Sequence, residues 1–136
     1  MSNIEQTLSI IKPDGVERNL VDDIKSIFTK NNLEISNSKK IHISKEEAAE
    51  FYKVHQSKPF YDDLCAYLSS GPIFVIILKG DDAVALNRKL MGATNPKDAE
   101  PETIRKLYGI SIDKNTVHGS DSTENAKIEI DFFFKN

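Results

Sequence analysis

Ile73-Phe74-Val75-Ile76-Ile77-Leu78 is an unbroken apolar run, with Gly71-Pro72 before it and Lys79-Gly80-Asp81-Asp82 after it. It is far short of the roughly 20 residues a membrane span requires. A half-exposed strand alternates apolar and polar residues, whereas this run suits a strand buried on both faces at the centre of a sheet. The chain around it has 136 residues, the length of one domain, so residues 1–136 are expected to form a single domain. A chain of that size buries about two-thirds of its unfolded surface, enough for a real core.

The other segments read as partners for that strand. Thr7 to Ile11 has strand character and ends in Pro13-Asp14-Gly15, which is turn chemistry. Val21, Ile24, Ile27 and Phe28 recur at helical spacing, and Asn31-Asn32 closes that helix. Leu33, Ile35, Ile41 and Ile43 all have odd numbers, so an extended stretch is expected to put them on one face. Ser44-Lys45-Glu46-Glu47 is a capping box that starts a second helix through Phe51 and Tyr52. Phe60, Leu64, Cys65 and Leu68 belong to a third. Asp81 or Asp82 caps a helix reaching Met91. Between Gly92 and Asn115 the pattern weakens, with one short helix at Thr103 to Leu107. A loop of that length inside a small domain is usually functional. The last segment fits a strand through Ile128, Ile130 and Phe132, or a helix through Ala126, Ile130, Phe133 and Phe134; Asp121-Ser122-Thr123-Glu124 resembles a helix start and favours the helix. The order predicts an α+β antiparallel sheet, for which helices on one face are the natural layout.

Composition narrows the function. Eighteen Lys+Arg against 21 Asp+Glu give a net charge of −3, which argues against general nucleic-acid binding. Cys65 is the only cysteine, so no intrachain disulfide or CxxC motif exists, and it reads as a buried small hydrophobe. His42, His55 and His118 are far apart and there is no HExxH, which argues against a zinc cage. The first residues lack a basic region followed by an apolar stretch, so no signal peptide is expected and the cytoplasm is the default compartment. A P-loop, a GxGxxG turn and a GxSxG elbow are all missing.

Asn115-Thr116-Val117-His118-Gly119-Ser120-Asp121-Ser122 is the segment with the most chemistry. His118 is read as ending the long loop just before a helix N-terminus, whose free N–H groups suit phosphate. Gly119 would let a ligand approach the backbone, and a neutral imidazole there can accept a phosphoryl group. A histidine in a cap turn, with the neighbouring hydroxyls satisfying the helix end, fits the same spacing. Lys12, ending the first strand, can project a charge into a cleft or lie solvated on the surface. Arg88 and Arg105 singly read as surface residues; with Lys12 they can neutralise a triphosphate.

Taken together, Thr116-Val117-His118-Gly119-Ser120-Asp121-Ser122, Ile11-Lys12-Pro13-Asp14, Phe51-Tyr52, Lys58-Pro59-Phe60, Ser70-Gly71-Pro72, Met91-Gly92-Ala93-Thr94-Asn95-Pro96 and Thr103-Ile104-Arg105 resemble the nucleoside diphosphate kinase family. The resemblance runs from about Gln6 to Phe134. It implies a ferredoxin-like antiparallel β-sheet sandwich with helices packed on the sheet. It also implies a ping-pong phosphotransferase that moves the γ-phosphate of a nucleoside triphosphate to a nucleoside diphosphate through a phosphohistidine on His118. By that pattern Lys12 contacts the transferred phosphate and the sugar 3′-hydroxyl, and Asn115 holds the sugar. Arg88, Thr94 and Arg105 hold phosphates, and Phe60 and Ile112 sandwich the base. Tyr52 lines the pocket, Glu129 orients the imidazole and Ser120 lies beside it. The family implies Mg²⁺ carried on the nucleotide phosphates rather than in a protein cage, and a homo-oligomer, hexamer or tetramer. Val54 stands where many members have an acidic residue, Lys106-Leu107-Tyr108 where a small residue, Asp and an aromatic are common, and Asp113-Lys114 where Gly-Arg is frequent. A non-catalytic nucleotide-binding regulatory module on the same sandwich is the alternative, and a nucleic-acid-binding protein a second.

Overall fold

The computed structural model describes residues 4–53, 56–59, 61–110 and 116–134. The expectations for Phe60, Ile112 and Asn115, and the departures at Val54 and Asp113-Lys114, lie outside the described residues. The elements run β1 (Ile4–Ile11), α1 (Pro13–Glu17), α2 (Val21–Lys30), β2 (Glu34–Ile41), α3 (Lys45–Phe51), α4 (Tyr61–Leu68), β3 (Ile73–Asp81), α5 (Ala83–Met91), a 3-10 turn (Pro96–Asp98), α6 (Ile104–Tyr108), β4 (Val117–Gly119) and α7 (Thr123–Phe134). The sheet has four strands in the order β2-β3-β1-β4. Every pairing is antiparallel, and the whole of β1 lies along β3, from Ile4 opposite Asp81 to Ile11 opposite Phe74.

The apolar run is, as expected, a central strand, and its alternate residues enter two different cores. Ile73 and Val75, with Leu8 and Ile10 of β1, pack against Ala48, Tyr52, Cys65, Leu68 and Phe133, from α3, the residue capping it, α4 and α7. Ile76 and Leu78, with Ile11 of β1, pack against Ile24 and Phe28 of α2, Ala83 and Met91 of α5 and Ile104 of α6. Helices therefore cover both faces of the sheet. This corrects the expected one-faced layout: a strand with no polar face needs an apolar layer on each side, and leaving either bare forfeits about 25 cal/mol per Å² of apolar surface. Truncating a fully buried residue such as Ile10 to Ala costs about 2–5 kcal/mol.

The expectation that Leu33, Ile35, Ile41 and Ile43 share one face is also corrected. A register shift between Ile35 and Asn37 interrupts β2, so that Ile35 lies opposite Leu78 and Ile41 opposite Ile73. Leu33 and Ile35 join the core containing Leu78, whereas Ile41 and Ile43 join the one containing Ile73. One extra residue in a strand reverses the facing of everything after it.

The helix signals hold. Ser44 Oγ accepts from the Glu47 N–H at 3.1 Å and Glu47 Oε1 from the Ser44 N–H at 3.0 Å, a complete capping box. Asp82 stands at the N-cap of α5 in a left-handed conformation, without a side-chain cap bond; Glu5 Oε1 accepts from the Val84 N–H at 3.2 Å instead. The last segment is the helix α7, with Ala126 and Phe133 buried and Ile128 exposed. Thr103 caps α6 with its side chain. No described helix is long and apolar enough to cross a membrane.

Candidate active site

β4 is an edge strand of three residues, paired among the described residues only with β1, with His118 opposite Ile10 and Gly119 opposite Ser9. His118 thus sits on a strand, five residues ahead of Thr123, the first residue of α7, and the expectation that it directly abuts a helix N-terminus is corrected. One of the N–H groups at that helix start is used locally, since Ser122 Oγ accepts from the Asn125 N–H at 3.1 Å. Gly119 lines the cleft described below and has a packing reason besides the one expected. A Cβ there would lie 2.4 Å from Asn87 Nδ2 and 2.8 Å from Met91 Cε, so glycine is what lets α5 pack against β4.

Because β4 is at the edge, His118 meets residues from both helical layers. On one side, Glu129 of α7 places Oε1 3.0 Å from His118 Nε2. Ser120 Oγ donates to the same oxygen at 2.9 Å and accepts from the Leu8 N–H at 3.4 Å. A carboxylate beside Nε2 selects the tautomer protonated there and leaves the Nδ1 lone pair free. The Phe51 ring lies edge-on to the imidazole, centroids 5.3 Å apart, and Tyr52 stands at 6.4 Å. Burial, then the nearby Cys65 and Glu129, push the Tyr52 phenol far above its ordinary range, so it remains an O–H group.

On the other side, Arg88, Thr94, Arg105 and Asp121 line, with His118 and Gly119, a cleft of about 250 Å³. Arg105 donates from Nη1 to the Gly92 carbonyl at 3.0 Å and from Nη2 to the Val117 carbonyl at 2.9 Å, while its buried Nε has no hydrogen-bond partner among the described residues. Burial, then repulsion from Arg88, hold its pKa down to about 10, which still leaves a full cation at neutral pH. Two guanidinium groups facing one cleft repel each other, and an anion between them relieves that repulsion. The Asn125 amide, donating to Asp121 Oδ1 at 2.5 Å, holds the Asp121 carboxyl below its usual range.

Lys12 lies one residue beyond β1, largely buried, and its N–H donates to the Thr116 carbonyl at 2.7 Å, extending the β1–β4 ladder. It is not among the residues lining the 250 Å³ cleft. The structure therefore brings His118, Glu129 and Ser120 into one hydrogen-bonded group, with Tyr52 beside it, and places Arg88, Thr94 and Arg105 in the cleft with His118. Sequence reasoning gave no site role to Phe51 or Asp121, although both lie within motifs it used. Among the described residues, no group of three or more His, Cys, Asp or Glu is placed to hold a metal ion.

The family profile described as nucleoside diphosphate kinase matches residues 5–136. The nucleoside diphosphate kinase of a Nitratiruptor species is 55% identical over 131 residues, 96% of each chain. That of Campylobacter jejuni is 55% identical over 132 residues, 97% of this chain and 96% of the relative. Among solved structures, the Aquifex aeolicus nucleoside diphosphate kinase superposes with a TM-score of 0.96 at 36% identity, covering 98% of this chain and 97% of that one. A Halobacterium salinarum nucleoside diphosphate kinase in complex with CDP gives 0.93 at 40%, covering 98% and 90%. Likeness this high over nearly the full length goes beyond a shared architecture, which alone would not carry function. It puts the chain among the phosphotransferases built on a ferredoxin-like α+β sandwich. The chain belongs to the nucleoside diphosphate kinase family.

Proposed function

We propose that this chain, acting as a single nucleoside diphosphate kinase domain, transfers the γ-phosphate of a nucleoside triphosphate to a nucleoside diphosphate through His118. The observation that carries the reading is the bond between Glu129 Oε1 and His118 Nε2, the histidine also lining a cleft with Arg88 and Arg105. Nδ1 attacks the γ-phosphorus; a P–N bond forms, the bond from phosphorus to the bridging oxygen breaks, and the nucleoside diphosphate leaves with that oxygen. A second nucleoside diphosphate then reverses the step through its own terminal oxygen. As Nδ1 becomes bonded to phosphorus, the ring gains positive charge, which the Glu129 carboxylate stabilises; the Ser120 hydroxyl keeps that carboxylate in place.

Phosphoryl transfer depends on in-line placement and charge stabilisation. Arg88, Arg105 and Thr94 hold phosphate oxygens, Lys12 contacts the transferred group and the sugar 3′-hydroxyl, Asn115 holds the sugar, and Phe60 and Ile112 flank the base. Tyr52 lines the pocket. The cleft lining carries two arginines and one carboxylate, a donor set that fits phosphate better than a bare cation. Mg²⁺ carried on the nucleotide phosphates, as in the family, would neutralise part of their charge there. A cytoplasmic homo-oligomer, hexamer or tetramer, completes the reading.

The test is to mix the chain with ATP and Mg²⁺, weigh it intact, and then add GDP. The expected result is the gain of one phosphoryl group, acid-labile and base-stable as a phosphoramidate is, and its loss to GDP. A chain that binds ATP without gaining mass would be the non-catalytic module instead.

A further inference from the structure

Of the turn Lys12-Pro13-Asp14-Gly15, the proposed reaction uses only Lys12. Yet Asp14 is 6% exposed, and a buried carboxylate is costly unless its hydrogen bonds are met. Its Oδ2 accepts from Thr116 Oγ1 at 2.8 Å and from Arg18 Nη2 at 3.1 Å. Its Oδ1 accepts from the Tyr67 phenol, whose oxygen accepts from the Asp14 N–H at 3.1 Å. Burial and the bond to Asp14 keep that phenol protonated by raising its pKa. Arg18 Nη2 also donates to the Tyr108 carbonyl at 2.5 Å and lies 3.3 Å from Thr116 Oγ1. Groups from α1, α4, α6 and the approach to β4 thus converge around one carboxylate.

Thr116 gives the convergence a purpose. It is completely buried and has φ = +79°, where a β-branched residue is a steric outlier that persists only if its surroundings enforce it. Its hydroxyl is the group Asp14 holds. Its carbonyl receives the Lys12 N–H at 2.7 Å, and His118 follows two residues later. Gly15 makes room: a Cβ there would lie 3.0 Å from Thr116 Cγ2 and 2.7 Å from Ile11 Cγ2.

We propose that Asp14 is a positioning residue for phosphoryl transfer: it clamps Thr116 in its left-handed conformation and so fixes Lys12 against the strand that carries His118. The inference rests on the proposed roles of His118 and Lys12. Asp14→Asn keeps the size of the side chain but puts an amide where acceptors are needed. In this variant ADP affinity, measured by calorimetry, should stay within about threefold of wild type, because the cleft arginines are untouched. The single-turnover rate of His118 phosphorylation by Mg²⁺–ATP should fall by about ten- to a hundredfold, the usual result of misplacing reacting groups by an ångström or less.

The strain argument supplies a sharper arm. Glycine takes positive φ freely and alanine does not, although both lose the hydroxyl. In a Thr116→Gly background the loss caused by Asp14→Asn should shrink to about threefold, and in Thr116→Ala it should persist. Equal losses in the two backgrounds, or an Asp14→Asn rate within about twofold of wild type, would overturn the proposal. If circular dichroism shows Asp14→Asn unfolded, Tyr67→Phe carries the same comparison, and an unchanged rate there overturns it equally. A wild-type chain that takes up no phosphate would sink the parent reading instead, which separates the two failures.

Discussion

β2 and β4 both flank the central pair of strands, but β2 has eight residues and β4 three. β2 is held by a long ladder to β3, tolerates a bulge, and turns mostly polar or half-buried side chains outward. β4 has too few ladder bonds to fix itself. Side chains do that work: Arg105 bonds the Val117 carbonyl, Asp14 the Thr116 hydroxyl, and Glu129 both His118 and Ser120. A long edge can absorb an irregularity because its fixing is distributed. A short edge fixed by a few charged groups has each residue where chemistry needs it, and each of those groups becomes hard to replace.

The comparison breaks most directly at His118. In His118→Ala the fold should remain, since the side chain is partly exposed and no core depends on it, while phosphate uptake from ATP vanishes. Intact mass before and after ATP decides the point, and uptake persisting in the variant would move the nucleophile elsewhere. Glu129→Gln is the next largest test. The amide can still accept from Nε2–H, but it no longer offsets the charge that develops on the ring. Single-turnover transfer should slow about ten- to a thousandfold with nucleotide affinity retained. An unchanged rate would show that the carboxylate on α7 only packs.

The two edges also explain what was legible in the residues. The buried central strand, the capping box at Ser44, the Thr103 helix and the helical reading of the last segment all come from local patterns that tertiary packing did not override. The bulge in β2 was invisible, because odd numbering continues across an inserted residue while the pleat does not. The second helical layer was implied by an apolar run with no polar face, yet the layout expected from element order covered only one. At the site, the motif around His118 and the matching positions of Glu129, Arg88 and Arg105 were readable through resemblance. The Asp14–Thr116 bond beside β4 was not: the two residues are 102 positions apart, and periodicity carries no information at that range.

Arg105 sharpens the comparison further. Arg105→Lys keeps a cation but loses the fork that reaches two carbonyls at once. kcat/KM should drop about tenfold or more, with a loss of about 1 kcal/mol in unfolding free energy as one buried carbonyl goes unmet. Equal stability with unchanged kcat/KM would mean that β4 does not need this brace.

Donor choice should be a smaller effect. The proposed base contacts, Phe60 and Ile112, have no hydrogen-bonding side-chain atoms, and stacking tolerates every base. ATP, GTP, CTP and UTP should differ in kcat/KM by about tenfold, measured against one fixed acceptor. A preference near a thousandfold would require a polar base reader, because only a site built to hydrogen-bond one group rejects analogues that strongly.

The smallest effect belongs on the other edge. Lys39 of β2 places its ammonium 4.8 Å from the centroid of the Phe134 ring, an exposed cation–π contact. Lys39→Met keeps an unbranched chain over the ring and removes the charge, so urea unfolding should register a loss of about 0.5–1 kcal/mol. The change is remote from β4, and the β2 ladder holds without it, so kcat/KM should stay within about twofold of wild type. A tenfold fall in kcat/KM would mean that displacements on the long edge reach His118 through the central strands. The two edges would then be one mechanical unit, and the contrast between distributed and concentrated fixing would fail.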